Sequence, residues 1–296
     1  MSTTDQTAAG ADALELGARP QTAARTARLP GRFLRSEMAL VFSRRRNQVG
    51  LAVLAAVPIL LAIAVKVSAP DGGGPDFLAL ITGNGLFVAY AALAVEITMF
   101  LPMAVALISG DAIAGEAHLG TLRYLLVVPV NRTRLLLVKY ASLCIGAFVA
   151  VLLVAVVGAV AGAVVFGAGP MTTLSGSQLG LGASLGRLVL TVGYLTAGLC
   201  AFAAVGLFAS TLTEQPIAAT IAVLMFVVLS TILGSLPQLA WLHPWLVTDH
   251  WLAFTDFVRD PIAWDGVLRG LGLDAVYVVV FWSAAWARFT TKDITH

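Results

Sequence analysis

Apolar residues along this chain are gathered into blocks of about twenty, with short polar stretches between them. A helix of about twenty apolar residues crosses the ~30 Å hydrocarbon core of a bilayer. It does so while satisfying its own backbone hydrogen bonds, which lipid cannot do for it. The pattern predicts six spans, at about residues 49–68, 86–109, 138–166, 187–210, 216–234 and 267–287. The third is longer than a span needs, which predicts tilt or extension beyond the membrane. Pro102 predicts a kink in the second. Ahead of the first span, Leu34, Met38, Val41 and Phe42 recur at helical spacing, with Arg35 and Arg45 elsewhere on the wheel. Residues 30–47 therefore read as an amphipathic helix, either lying in the membrane interface or packed on the spans. Residues 1–29 are Ala-, Thr-, Gly- and Arg-rich without apolar periodicity and read as a disordered tail. Residues 48–289 form the six-span domain and 290–296 a short tail.

Composition agrees. The chain is 59% hydrophobic and 11% charged, with a mean hydropathy of +0.90. Soluble domains carry about 25% charged residues, so the class is all-α integral membrane protein, a multi-pass protein of the cytoplasmic (plasma) membrane. The net charge of +2 gives no reason to expect a nucleic-acid partner. Cys144 and Cys200 both fall within apolar runs and read as small core residues.

The charges that do occur are unevenly placed. Fourteen of the eighteen lysines and arginines fall on one side of the predicted spans, leaving Lys66, Arg187, Arg259 and Arg269 on the other. By the positive-inside rule both termini are cytoplasmic, which an even number of spans requires. Ser43-Arg44-Arg45-Arg46 superficially matches a twin-arginine export signal. With five further spans behind the first, it reads as the cytoplasmic flank of span one.

The segment Ser109–Tyr140, SGDAIAGEAHLGTLRYLLVVPVNRTRLLLVKY, concentrates polar chemistry between spans two and three. Asp111 and Glu116 precede Gly120-Thr121, one or two helical turns follow from Leu122-Arg123, Pro129 ends them, and Arg132 and Lys139 lead into span three. This arrangement resembles the membrane subunit of type-2 ATP-binding-cassette (ABC) exporters: an acid, Gly-Thr-Leu, a short apolar stretch, Pro, Arg, and a Lys before the third span. The amphipathic helix before six spans, the long last external loop and the short basic tail resemble that family as well. The resemblance implies that residues 110–137 form a cytoplasmic coupling helix, with Asp111, Glu116, Gly120, Thr121, Leu122, Arg123, Pro129, Arg132 and Lys139 docking on a separate ABC ATPase subunit. It implies a second permease subunit, identical or not, and external re-entrant helices before span six. The chain lacks the Gly-x-x-x-x-Gly-Lys-Ser/Thr phosphate loop, so ATP and Mg would be bound by the partner and no cofactor by this chain, which is read as a transport subunit rather than an enzyme. The short connection Thr211–Pro216 offers a smaller contact. Without the motif context, the same acids and arginines read as ordinary solvated charges at a membrane boundary.

Glu96 falls near the middle of span two, where a charge costs about 2.5 kcal/mol or more and must face protein or water. It is either a wall of the translocation path with Met99, Phe100 and Met103, or a neutral acid in helix packing. Asp274 lies near the outer end of span six, where solvation at the interface accounts for it. Gly158 and Gly162 allow close helix approach, within the chain or across a dimer. The tryptophans of the external segment 235–265, Trp241, Trp245, Trp251 and Trp264, predict interfacial half-helices, and the resemblance implies an external gate here, with Trp241, His243, Trp245 and Trp251 as its candidates. His243, Asp249 and His250 match no familiar zinc spacing, and neither a metal site nor a catalytic residue is assigned.

The function implied is the permease of an ATP-driven exporter of a hydrophobic or amphiphilic compound such as a drug or lipid. A secondary transporter using the buried acid, a membrane-embedded enzyme, and a transport-dead partner of an ATPase are the alternatives. No internal repeat relates residues 49–166 to 187–287.

Overall fold

The structure, a computed structural model, describes residues 30–68, 84–118, 132–167 and 169–291. Its helices are α1 (Pro30–Ser43), α2 (Arg45–Ser68), α3 (Leu86–Thr98), α4 (Phe100–His118), α5 (Arg132–Phe166), α6 (Leu181–Leu212), α7 (Pro216–Gly234) and α8 (Trp264–Thr291). Six of them, α2 and α4 to α8, are long and apolar enough to cross a membrane. A two-residue hairpin, Met171–Thr172 with Gln178–Leu179, joins α5 to α6. The predicted tail over 1–29 lies outside the described residues.

The second predicted span, 86–109, is two helices. Pro102 has no N–H to give the carbonyl of Thr98, and its ring crowds that carbonyl. The chain breaks at Met99 (φ −145°, ψ −55°). Helicity resumes at Phe100, with the Met103 N–H bonded back to the Met99 carbonyl at 3.1 Å. The expected kink is thus a discontinuity three residues ahead of the proline. The same span ends at His118 rather than near 109, and the third begins at Arg132 rather than 138. Asp111, Glu116 and Arg132 therefore stand on the spanning helices themselves rather than on a separate surface helix or turn. The last span runs from 264 to 291 rather than 267 to 287. The amphipathic helix stops at Ser43, short of the predicted 47. There the side chains of Asn47 and Gln48 donate to the Val41 and Phe42 carbonyls and close the α1–α2 elbow.

Helix α6 is the centre of the bundle, packed on α4, α5, α7 and above all α8. Helices α1, α2 and α3 pack on α5, and α7 packs on α4. Glycine sets two of these seams. Gly85 and Gly162 bring the backbones of α3 and α5 into direct contact, and a Cβ on Gly158 would lie 2.7 Å from the Ala89 Cα. The small-residue motif of α5 is accordingly a contact within the chain. Ser109 lies against Gly206, and Gly110 against Thr220, which seats α4 on α6 and α7.

The long last loop, expected as half-helices, consists of short 3-10 helices at Pro237–Leu239, His243–Trp245 and Trp251–Val258. It is tied to the hairpin. Arg187 donates to the Phe257 and Arg259 carbonyls and pairs with Asp260 at 3.2 Å, and Asp260 accepts from Ser177.

Candidate functional site

Charge is concentrated at the arginine-rich end of the bundle, where the last turns of α4 meet the first turns of α5 and the α1–α2 elbow. Asp111 and Glu116 lie five residues apart on α4, about 7.5 Å along its axis, and take different partners. Arg44 and Arg46 both donate to Asp111 Oδ2, Arg46 at 2.7 Å. Lys139 Nζ bridges Glu116 and Glu37, the latter at 2.9 Å. The Lys139 and Glu37 side chains are 7% and 8% exposed and that of Glu116 is 15%. Desolvating three ions is costly unless their geometry is good. One ammonium between two carboxylates supplies that geometry and ties α1, α4 and α5 together.

A hydroxyl continues the network inward. Ser210 of α6 accepts from the N–H groups of Ile113 and Ala114 and donates to the Gly110 carbonyl at 2.9 Å. It is wedged into the backbone ladder of α4 just below the ion pairs. Arg132, at the start of α5, donates to the Phe289 and Thr290 carbonyls that end α8. The Trp286 indole donates to Thr133. Cations at a helix C-terminus satisfy its orphan carbonyls, so this arginine fastens α8 to α5.

The structure thus joins Asp111, Glu116, Arg132 and Lys139 of the predicted coupling set to the bundle. The remainder, Gly120, Thr121, Leu122, Arg123 and Pro129, lies outside the described residues. Asp111 and Glu116 were expected as exposed charges on a surface helix. They are instead partly buried on α4 and ion-paired, because that helix continues nine residues past its predicted end. Three participants were invisible as such. Glu37 is one polar position on a predicted amphipathic face, and Arg44 and Arg46 counted only toward orientation. Their partners lie 65 to 102 residues away, and no periodicity reports pairing at that range.

Glu96, Met99, Phe100 and Met103 do not share one face of a continuous helix. On an unbroken helix these residues share a face. The break at Met99 shifts the register, so Glu96 is fully buried while Met99 (58% exposed) and Met103 face outward and Phe100 is half-buried. Both carboxyl oxygens of Glu96 are buried without a hydrogen-bond partner among the described residues. Asp274, expected to be solvated, is buried, near Gly198 of α6 and the indole of Trp251. The gate candidates also divide. Trp241 (72% exposed) and Trp245 project outward, and His243 lies 3.1 Å from the Leu236 carbonyl oxygen. Trp251 is core, edge-on to Phe202 at 6.1 Å. His250 and Asp249 form a pair at 3.6 Å. No group of three metal-ligating side chains gathers among the described residues.

Residues 76–295 match the family model described as protein of unknown function (DUF2705), which covers well over half of the chain. No curated protein matches it.

Proposed function

This chain belongs to the family of proteins of unknown function (DUF2705), and we propose that it is the membrane-spanning permease subunit of an ATP-driven ABC exporter. A separate ATPase subunit would dock on the segment between α4 and α5 from the cytoplasm, where both termini would lie. A second permease subunit would complete the membrane part, and the cargo would be hydrophobic or amphiphilic. One observation carries the proposal beyond the sequence motif. The last turns of α4, before residue 119, and the first turns of α5, from Arg132, are both fastened to the rest of the bundle. The Lys139–Glu37–Glu116 bridge ties α1, α4 and α5 together, the Arg44–Arg46–Asp111 set ties the α1–α2 elbow to α4, and Arg132 holds α8. A load applied to the segment would therefore move several helices together rather than bend a loop, as rigid-body coupling requires. Co-purification of the tagged chain tests this. A stoichiometric ATPase that is lost on Arg123→Glu, with the bundle still folded, supports it. A folded chain that repeatedly purifies alone overturns it.

The buried Glu96 beside a helix break favours a second reading. Secondary transporters place ion sites at such interruptions. Uptake or efflux driven by a proton gradient without ATP, and abolished by Glu96→Gln, would select it over the exporter.

A further inference from the structure

Between the α1–α2 elbow and helices α4 and α5 lies a cleft of about 460 Å³, its open mouth included. Arg44, Arg46 and Asp111 stand on its wall, and Leu40, Val41 and Ile108 line it with apolar surface. It runs into a second, shallow and almost wholly apolar groove, about 440 Å³ with the open space along it included, that shares Val41, Arg46, Asn47 and Ile108 with it. This groove descends between α2, α4 and α5 past Leu51, Leu54 and Ala150. Missing side chains keep it open. A Cβ on Gly50 would meet nothing within 4 Å, and one on Gly146 only the end of Ile108, at 3.9 Å. From Asn47 to Leu54 the groove follows α2 for about 10 Å, enough for the first half of an acyl chain.

We propose that this joined cleft and groove is a binding site for one acidic phospholipid of the cytoplasmic leaflet, its phosphate on Arg44 and Arg46 and one acyl chain along Gly50 and Gly146. The charge balance selects the headgroup. Two guanidiniums share the single carboxylate of Asp111, and about half of each arginine side chain is exposed. The mouth therefore keeps an excess of positive charge. Lys139 deeper in the cleft is shared by two acids, and that buried group carries one negative charge, so the positive excess is confined to the mouth. The apolar continuation selects a lipid over a soluble anion, and basic pockets between helices on the cytoplasmic side recognise acidic headgroups in this way. The proposal needs no ATPase partner. It requires only that the arginine-rich end lie at the inner membrane surface.

The test is competition between palmitoyl-oleoyl phosphatidylglycerol and the phosphatidylcholine of identical chains for the full-length protein in mild detergent, read by native mass spectrometry. The wild type is expected to retain the glycerol lipid about fivefold or more over the choline lipid, one charge near a surface being worth roughly that factor. Arg44→Gln/Arg46→Gln should reduce the preference below about twofold, while Arg45→Gln, which removes one charge from the residue between them, should leave it. Asp111→Asn should raise it, because both guanidiniums are released; this gain cannot come from unfolding. Gly50→Leu should lower retention of both lipids by filling the groove. Equal retention of the two lipids by the wild type, a loss in Arg45→Gln as large as in the double variant, or unchanged retention in Gly50→Leu would each overturn the proposal.

Discussion

Lys139 bridges two carboxylates in a largely buried position, and its removal leaves them facing one another. Breaking a buried pair in this way costs about 3 kcal/mol or more. Lys139→Met should therefore be strongly destabilised in detergent unfolding. Adding Glu37→Gln and Glu116→Gln should restore most of the loss, since the uncompensated charges go with them. A single variant as stable as the wild type would show that the bridge contributes nothing. Glu96 makes the opposite case. Its oxygens are buried without partners among the described residues, so the neutral isostere should fit without strain. We expect Glu96→Gln to insert and fold as the wild type does, and Glu96→Lys to lose folded protein in size-exclusion chromatography. A collapse of Glu96→Gln would mean that the ionised acid has a structural partner.

Among the elements, the seam between α3 and α5 has the least tolerance. The backbones touch at Gly85 and Gly162, and overpacking a close contact costs about 1–3 kcal/mol, more where backbone must move. Gly162→Leu should lower the thermal midpoint clearly. Gly146→Ala, where a methyl meets only the tip of Ile108, should not. Equal midpoints would contradict the close approach. Hydropathy locates these helices because lipid imposes a period and a length that any reader of the chain can see. It does not locate their ends. Helices α4 and α5 run on beyond the apolar runs because Asp111, Glu116 and Arg132 find partners in the bundle, and a hydropathy scale ends a span at such residues. Pro102 announces a disturbance, but not that it comes at Met99 or that it separates Glu96 from the methionines after it. In the long last loop, the bulk of Trp251 reads like that of Trp241 and Trp245, and only packing against Phe202 sets it apart.

For the molecule as a whole, the arginine-rich end is where the helices are fastened to one another, through the α4–α5 ion pairs and through Arg132 at the end of α8. Motif spacing points to this end, because acids, arginines and a lysine between two spans are conspicuous in so apolar a chain. The ion-pair partners are not legible, since Glu37 reaches Lys139 across 102 residues. The central claim is that the segment between α4 and α5 receives force from a separate ATPase and passes it to this fastened end. The most direct measurement is the ATPase content of the tagged chain purified in mild detergent, for the wild type and for Arg123→Glu. The exporter assignment predicts one ATPase chain per copy of the wild type and its loss from a variant that remains folded. A wild type that purifies folded and without an ATPase, under conditions that preserve other membrane complexes, would contradict it.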